Sequence, residues 1–178
     1  MRLYPIWDIP HKNNMKKISN LKIENYVPAS FTIDDEQFEI AFPWPFTSVK
    51  IIKNIIMIGD PVETVIDVNE VKSIQFEALK RFDGAPGDPL GQLHFRFLCL
   101  IHFTTIDGQE FIFENSSMML IQTIYNRFKN LNVKFIDENN LVTELRKINL
   151  NQSKYEIEND IVRTFNPMRD QIRFIVKI

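Results

Sequence analysis

Hydrophobic and polar positions alternate most regularly between Gln92 and Glu114. There Phe95, Phe97, Cys99, Ile101 and Phe103 recur at every second residue, opposite His94, Arg96, Leu98, Leu100 and His102. A period of two puts each set on its own face of a strand. Asp107-Gly108 then closes a hairpin. A two-residue loop would turn Phe111 and Phe113 away from the first phenylalanine row. A three-residue loop of Ile106, Asp107 and Gly108, with Gly108 left-handed in a bulge, sets Phe103 across from Phe111 and Ile101 across from Phe113. The second loop is expected, because it gathers five phenylalanines onto one core face.

The upstream pattern is also strand-like. Phe31 to Phe42 reads as two short strands around Asp34-Asp35, and Pro43-Trp44-Pro45 breaks the ladder. Thr47 to Ile58 is one long apolar stretch of mixed parity: Val49, Ile51, Ile55 and Met57 share one face, and Ile52, Ile56 and Ile58 the other. Such a stretch is expected to be covered on both faces or to switch sides at a bulge. Gly59-Asp60-Pro61 signals a turn, followed by short strands at Val62 to Ile66 and Ser73 to Ala78. Residues 82–91 hold three of the five glycines and read as a surface loop. A phosphate-binding loop would need a Gly-Lys-Ser/Thr ending or a following helix, and neither is present.

After Glu114 the period changes to that of helices. Leu120, Ile121, Ile124, Phe128 and Leu131 form the stripe of a helix over 117–131, with Ser116 or Ser117 as N-cap and Gln122, Asn126, Arg127 and Lys129 towards water. Val133 to Ile136 reads as a short strand, and Leu141, Leu145 and Ile148 as a weaker helix. Ser153 and Glu156 form a capping box ahead of a third helix carrying Ile157, Ile161 and Phe165, which Asn166-Pro167 would stop. Gln171 to Ile178 alternates as a final strand.

Composition agrees with a β-rich chain. Its 178 residues include 25 Ile and 15 Phe but only four Ala, an inventory suited to pleated surfaces more than to helices. One domain with a full hydrophobic core fits this length. The formal charge is −2, which disfavours nucleic acid as a partner. Charge is unevenly placed, however. The first 23 residues carry Arg2, Lys12, Lys16, Lys17 and Lys22 against Asp8, whereas residues 24–45 hold five acids and no base. An N-terminal arm (1–26), anchored by Trp7 and lying back on the acidic segment, is the simplest reading. Lys12, Lys16 and Lys17 offer an alternative, an arm facing anionic lipid.

No catalytic, metal or cofactor site emerges. His94 and His102 would be ~27 Å apart along one strand and cannot share a metal ion. With His11 they are the only histidines, and Cys99 is the only cysteine, so disulfide and zinc frameworks are excluded. Cys99 belongs to the core row, where a thiol is inert. Without a signal h-region or an apolar run of about 18 residues, a cytoplasmic setting is expected, and the Asn, Lys and Ile bias suits an AT-rich bacterial genome.

The run of antiparallel strands, ending in the hairpin from Phe103 through Thr-Thr-Ile-Asp-Gly-Gln-Glu-Phe-Ile to Phe113 and then one amphipathic helix, resembles the pleckstrin-homology-like fold, including its bacterial and GRAM-like versions, over residues 27–131. The resemblance implies a curved barrel plugged by a helix, and a module that binds phosphoinositides or peptides or serves in assembly. Lipid-binding members have a basic first loop, whereas Asp34, Asp35 and Glu36 make this one acidic. The expectation is therefore a single α+β domain, mainly β: a strongly curved antiparallel sheet or partly open barrel over 27–131, capped by the 117–131 helix, with further helices and a strand in 132–178 packed on it. Its expected role is a non-enzymatic protein-binding or assembly module without cofactor, with another protein as partner. Leu98 and Leu100, opposite the phenylalanine row, are either covered by another layer of the chain, such as the C-terminal helices, or part of an interaction surface with Asp34, Asp35 and Glu36; cover within the chain is the expectation.

Overall fold

The computed structural model describes residues 27–38, 46–82, 95–165 and 173–176. The expected N-terminal arm, the Pro43-Trp44-Pro45 break, the loop over 83–91, His94 and the Asn166-Pro167 stop lie outside these residues. The chain enters as a hairpin of β1 (Val27–Ile33) and β2 (Glu36–Phe38). Its two-residue turn places Asp34 at φ 51°, a left-handed position that short polar side chains tolerate.

The apolar stretch from Thr47 to Ile58 is not one strand. It divides into β3 (Thr47–Ile52) and β4 (Ile55–Ile58), joined by Lys53-Asn54 with Lys53 at φ 52°. The turn resets the period of two, which accounts for the mixed parity. Ile51 pairs with Ile56 and Val49 with Ile58 towards the core, while Ile52 pairs with Ile55 towards solvent. Gly59 follows at φ 105°, where an added Cβ would lie 2.7 Å from the Pro61 carbonyl oxygen. β5 (Thr64–Asp67) leads into a 3-10 turn, Val68–Glu70, closed by a capping box between Asp67 and Glu70.

A meander of three long strands forms the centre: β6 (Val71–Phe82), β7 (Phe95–Thr105) and β8 (Glu110–Asn115). Phe82 thus ends a strand and does not open the loop. The β7–β8 loop is the three-residue form, with Gly108 at φ 87°, Phe103 opposite Phe111 and Ile101 opposite Phe113. Helix α1 (Met119–Phe128) follows. Its cap position falls on Met118, which supplies no side-chain bond, and not on Ser116 or Ser117. The entry is held instead by Asn115, whose Oδ1 accepts the Ser117 N–H at 2.8 Å.

The chain then forms β9 (Lys134–Ile136), α2 (Leu141–Leu145), α3 (Lys154–Phe165) and β10 (Arg173–Val176). Asp137 caps α2 by accepting the N–H groups of Leu141 and Val142 at 2.8 and 2.9 Å. Ser153 and Glu156 form the expected capping box ahead of α3, with Ser153 N–H donating to the Glu156 carboxylate at 2.9 Å and Glu156 N–H to the Ser153 hydroxyl at 3.3 Å. Such caps contribute about 1 kcal/mol each.

Among the described residues ten strands join in one sheet, ordered β10-β6-β7-β8-β1-β3-β4-β5, with β2 on β1 and β9 on β6. The sheet is mixed, not antiparallel: β1 runs parallel to β3 and to β8, and β6 runs parallel to β9 and β10. Parallel neighbours need a returning connection. Helix α1 lies between β8 and β9, and α2 and α3 lie between β9 and β10, which allows both short strands to line one edge of β6.

The first face of the meander and all three helices share one apolar cluster. Phe103 meets Phe113 and Phe128 at ring distances of 6.3 and 6.1 Å, Phe31 meets Phe113 at 5.6 Å, and Phe97 meets Phe165 at 5.8 Å. Each buried phenylalanine contributes about 1.5–3 kcal/mol through area removed from water. The second face carries Leu79, Leu98, Leu100 and Ile112, buried but outside that cluster, beside Glu77, His102 and Glu114. The C-terminal helices therefore do not cover Leu98 and Leu100; their apolar stripes go to the phenylalanine side.

Candidate functional site

Leu98 and Leu100 are each 1% exposed within the single chain. Both lie in the interior of the folded chain, as cover within the chain requires. Asp34, Asp35 and Glu36 remain exposed at the β1–β2 turn, but two of them are engaged by α1. Arg127 Nε lies 3.6 Å from Asp34 Oδ2, and the Thr123 hydroxyl donates to Glu36 at 3.3 Å. The Arg127 guanidinium also donates to the Lys53 carbonyl, so one arginine ties the β1–β2 and β3–β4 turns to the same helix. Because α1 packs on the first face, the structure does not bring the acidic turn together with Leu98 and Leu100. Lys12, Lys16 and Lys17 lie outside the described residues.

Cys99 sits fully buried, its Sγ 3.2 Å from the Ser117 carbonyl oxygen. Burial pushes its thiol pKa well above the ordinary range, which removes the thiolate needed for nucleophilic or redox chemistry. His102 is buried on the second face, neither ring nitrogen is hydrogen-bonded among the described residues, and Glu110 Oε1 lies 3.8 Å from Nε2. Burial lowers its pKa, and Glu110 opposes the shift. Among the described residues no group of three or more His, Cys, Asp or Glu is arranged to hold a metal ion, and no helix is long and apolar enough to cross a membrane.

The surface that stands out is the outer side of β3, β4 and β5. Among the described residues, five of the nine exposed large apolar ones, Phe46, Ile52, Ile55, Val62 and Val65, fall between positions 46 and 65. Register explains the concentration. Lys50, Met57 and Val65 form one cross-strand row, and Ile52, Ile55 and Asp67 form the next, all facing away from the core. Strand spacing and rise give these two rows a patch roughly 10 Å by 7 Å, which the outward parity of Phe46 extends. Lys50 and Asp67 occupy opposite corners.

Among the described residues β5 has no neighbour on its outer side, and that edge is less available than this face. The Val68 N–H bonds to the Asn54 carbonyl, a phase that turns the backbone groups of Val65 and Asp67 away from β4. Asp67 N–H is already taken by Glu70 at 3.2 Å. A four-residue edge with a charged, self-capped end is poorly suited to accept another strand.

Sequence reasoning missed Ile52, Ile55, Met57 and Val65 as a surface. The signal was the mixed parity of Thr47 to Ile58, which a two-residue turn converts into outward-facing isoleucines. Comparison with known proteins finds no matching family model, no matching curated protein and no matching solved structure.

Proposed function

We propose that this chain is a non-enzymatic protein-binding and assembly module, that it docks through the outer face of β3, β4 and β5, and that its first partner is a second copy of itself. The observation that carries the reading is the contiguous set of exposed Ile52, Ile55 and Val65 with half-buried Met57 on one outward face. Isolated exposed apolar residues are ordinary, whereas a cross-strand cluster of them marks an interaction site.

Charge placement favours a like partner. Lys50 and Asp67 lie across a diagonal of the patch, with the four apolar residues between them. A two-fold axis lying in the face, perpendicular to that diagonal, brings Lys50 of one copy over Asp67 of the other and the reverse. The apolar residues then meet at the centre. The patch is smaller than the ~800 Å² per partner of a standard interface, so the association is weak and reversible.

The meander β6–β8 running into α1 supports a pleckstrin-homology-like framework for such a module. The parallel pairing of β1 with β3 departs from the antiparallel pattern expected of it. The reading is tested by sedimentation of the wild type and Lys50→Glu across a concentration series. Lys50→Glu sets like charges opposite Asp67 and is expected to weaken self-association severalfold. Unchanged association in that variant would remove the diagonal pairing.

A further inference from the structure

We infer that a cleft at the start of β6 binds an organic carboxylate carried on an apolar body. The cleft has a volume of about 410 Å³, within the ~300–1,000 Å³ typical of ligand sites. Half-buried Leu131 and Val133 supply a small apolar wall beside Asn69 and Asn132, with Val71 buried behind it; Ile106 forms an exposed lip from the β7–β8 loop, and Lys72 and Lys134 line the same space.

Two features give the lysines more than an incidental place there. Val71 pairs with Thr105 but Ser73 pairs with Thr104, so Lys72 is the extra residue of a β-bulge. A bulge leaves its residue outside the ladder and re-aims the side chain. Lys134 opens β9 and is the cross-strand partner of Ser73, the next residue along. The register therefore brings two ammonium-bearing residues to one opening. Among the described residues, neither has a carboxylate within ion-pairing distance. Glu70, near in sequence, turns its carboxylate back to the Asp67 N–H.

Two neighbouring cations beside an apolar wall match one anionic head joined to a hydrocarbon body. The head lies between Lys72 and Lys134, and the body covers Leu131 and Val133 and meets Ile106 at the lip. Inorganic phosphate would engage the lysines but leave the wall unused, and an alcohol would do the reverse. The carboxylate has two sources of the same chemistry, a medium-chain free acid or the C-terminus of a peptide ending in an aliphatic residue. This inference is independent of the β3–β5 surface.

The test is amide chemical-shift titration of the full chain with octanoate, octanol, inorganic phosphate, and a Leu-terminated peptide as free acid and as amide. Octanoate or the free-acid peptide is expected to shift amides around Lys72, Ile106 and Val133, and the tighter of the two identifies the source. Lys72→Gln or Lys134→Gln should weaken binding about tenfold, as loss of one charge-assisted contact does, while Lys129→Gln leaves it unchanged. The same spectra report whether each variant is folded. Octanol or the amidated peptide binding as well as its acid, phosphate binding as tightly as octanoate, or no shift at millimolar octanoate would overturn the inference.

Discussion

Ile52 and Ile55 face each other as the last cross-strand pair before the β3–β4 turn, yet they are 41% and 44% exposed. Their neighbours Ile51 and Ile56 form the next pair and are buried. The same residue type one position apart thus does two jobs: Ile51 and Ile56 hold the fold, and Ile52 and Ile55 are available to a partner. Replacing Ile52 and Ile55 together by Thr is expected to change unfolding free energy by less than about 1 kcal/mol, as surface changes do. Ile51→Ala or Ile56→Ala should cost about 2–5 kcal/mol. Urea unfolding of the three variants checks the assignment of faces, and equal losses would contradict it.

Asn115 is the polar joint of the fold. Its side-chain amide donates to the Ala29 and Phe38 carbonyls at 2.8 and 3.1 Å, and its Oδ1 accepts the Ser117 N–H. One fully buried side chain therefore links β8, β1, β2 and the entry to α1. Asn115→Leu would leave buried partners unsatisfied at about 1–3 kcal/mol each. A total loss above about 3 kcal/mol is expected in urea titration, and a variant of wild-type stability would show the joint to be dispensable.

Cys99 should be silent to thiol reagents in the native protein, because burial holds it as the neutral thiol and reaction requires an accessible thiolate. Its labelling rate is expected to follow unfolding, rising with urea. Fast labelling without denaturant would mean that the core around Ser117 is open.

Stability should also fall with acid through His102. Burial lowers its folded pKa below the ordinary 6.5, so between the folded value and 6.5 the unfolded chain binds more protons. Stability is then full above about pH 6.5 and is progressively lost as pH falls through the folded pKa. His102→Gln is expected to flatten the stability profile below about pH 6.5. Asp107 acts in a separate window: hydrogen bonds from Thr105 and Gln109 lower its pKa below the carboxylate value, so its contribution is lost only at stronger acidity. An unaltered slope in His102→Gln would assign the acid sensitivity elsewhere.

Local chemistry made much of the architecture legible from the residues alone. Gly108 and the flanking phenylalanines specify the β7–β8 register, because only the three-residue loop puts all the rings on one face. Ser153 and Glu156 announce α3 in the same local way. The Lys53-Asn54 turn carries no glycine or proline, so four isoleucines around it read as continuous strand. Parallel pairing of β9 and β10 on β6 depends on how α1, α2 and α3 return the chain, which no local pattern encodes. Arg127 and Asp34 are 93 positions apart in sequence, and only the folded chain shows that the acidic turn is partly committed to α1. The β3–β5 surface was hidden for the same reason as its turn, and the Lys72–Lys134 cleft depends on a bulge between two strands whose register had first to be known.

Sedimentation equilibrium across a wide concentration range, comparing wild type with Ile55→Asp and with Tyr155→Asp, tests the central claim most directly. Tyr155 is exposed on α3, away from the patch, so its variant controls for charge added to any apolar surface residue. Reversible dimerisation of the wild type and of Tyr155→Asp, with Ile55→Asp monomeric at every concentration, is the expected result. A wild type that remains monomeric at millimolar concentration, or a dimer indifferent to Ile55→Asp, would contradict it.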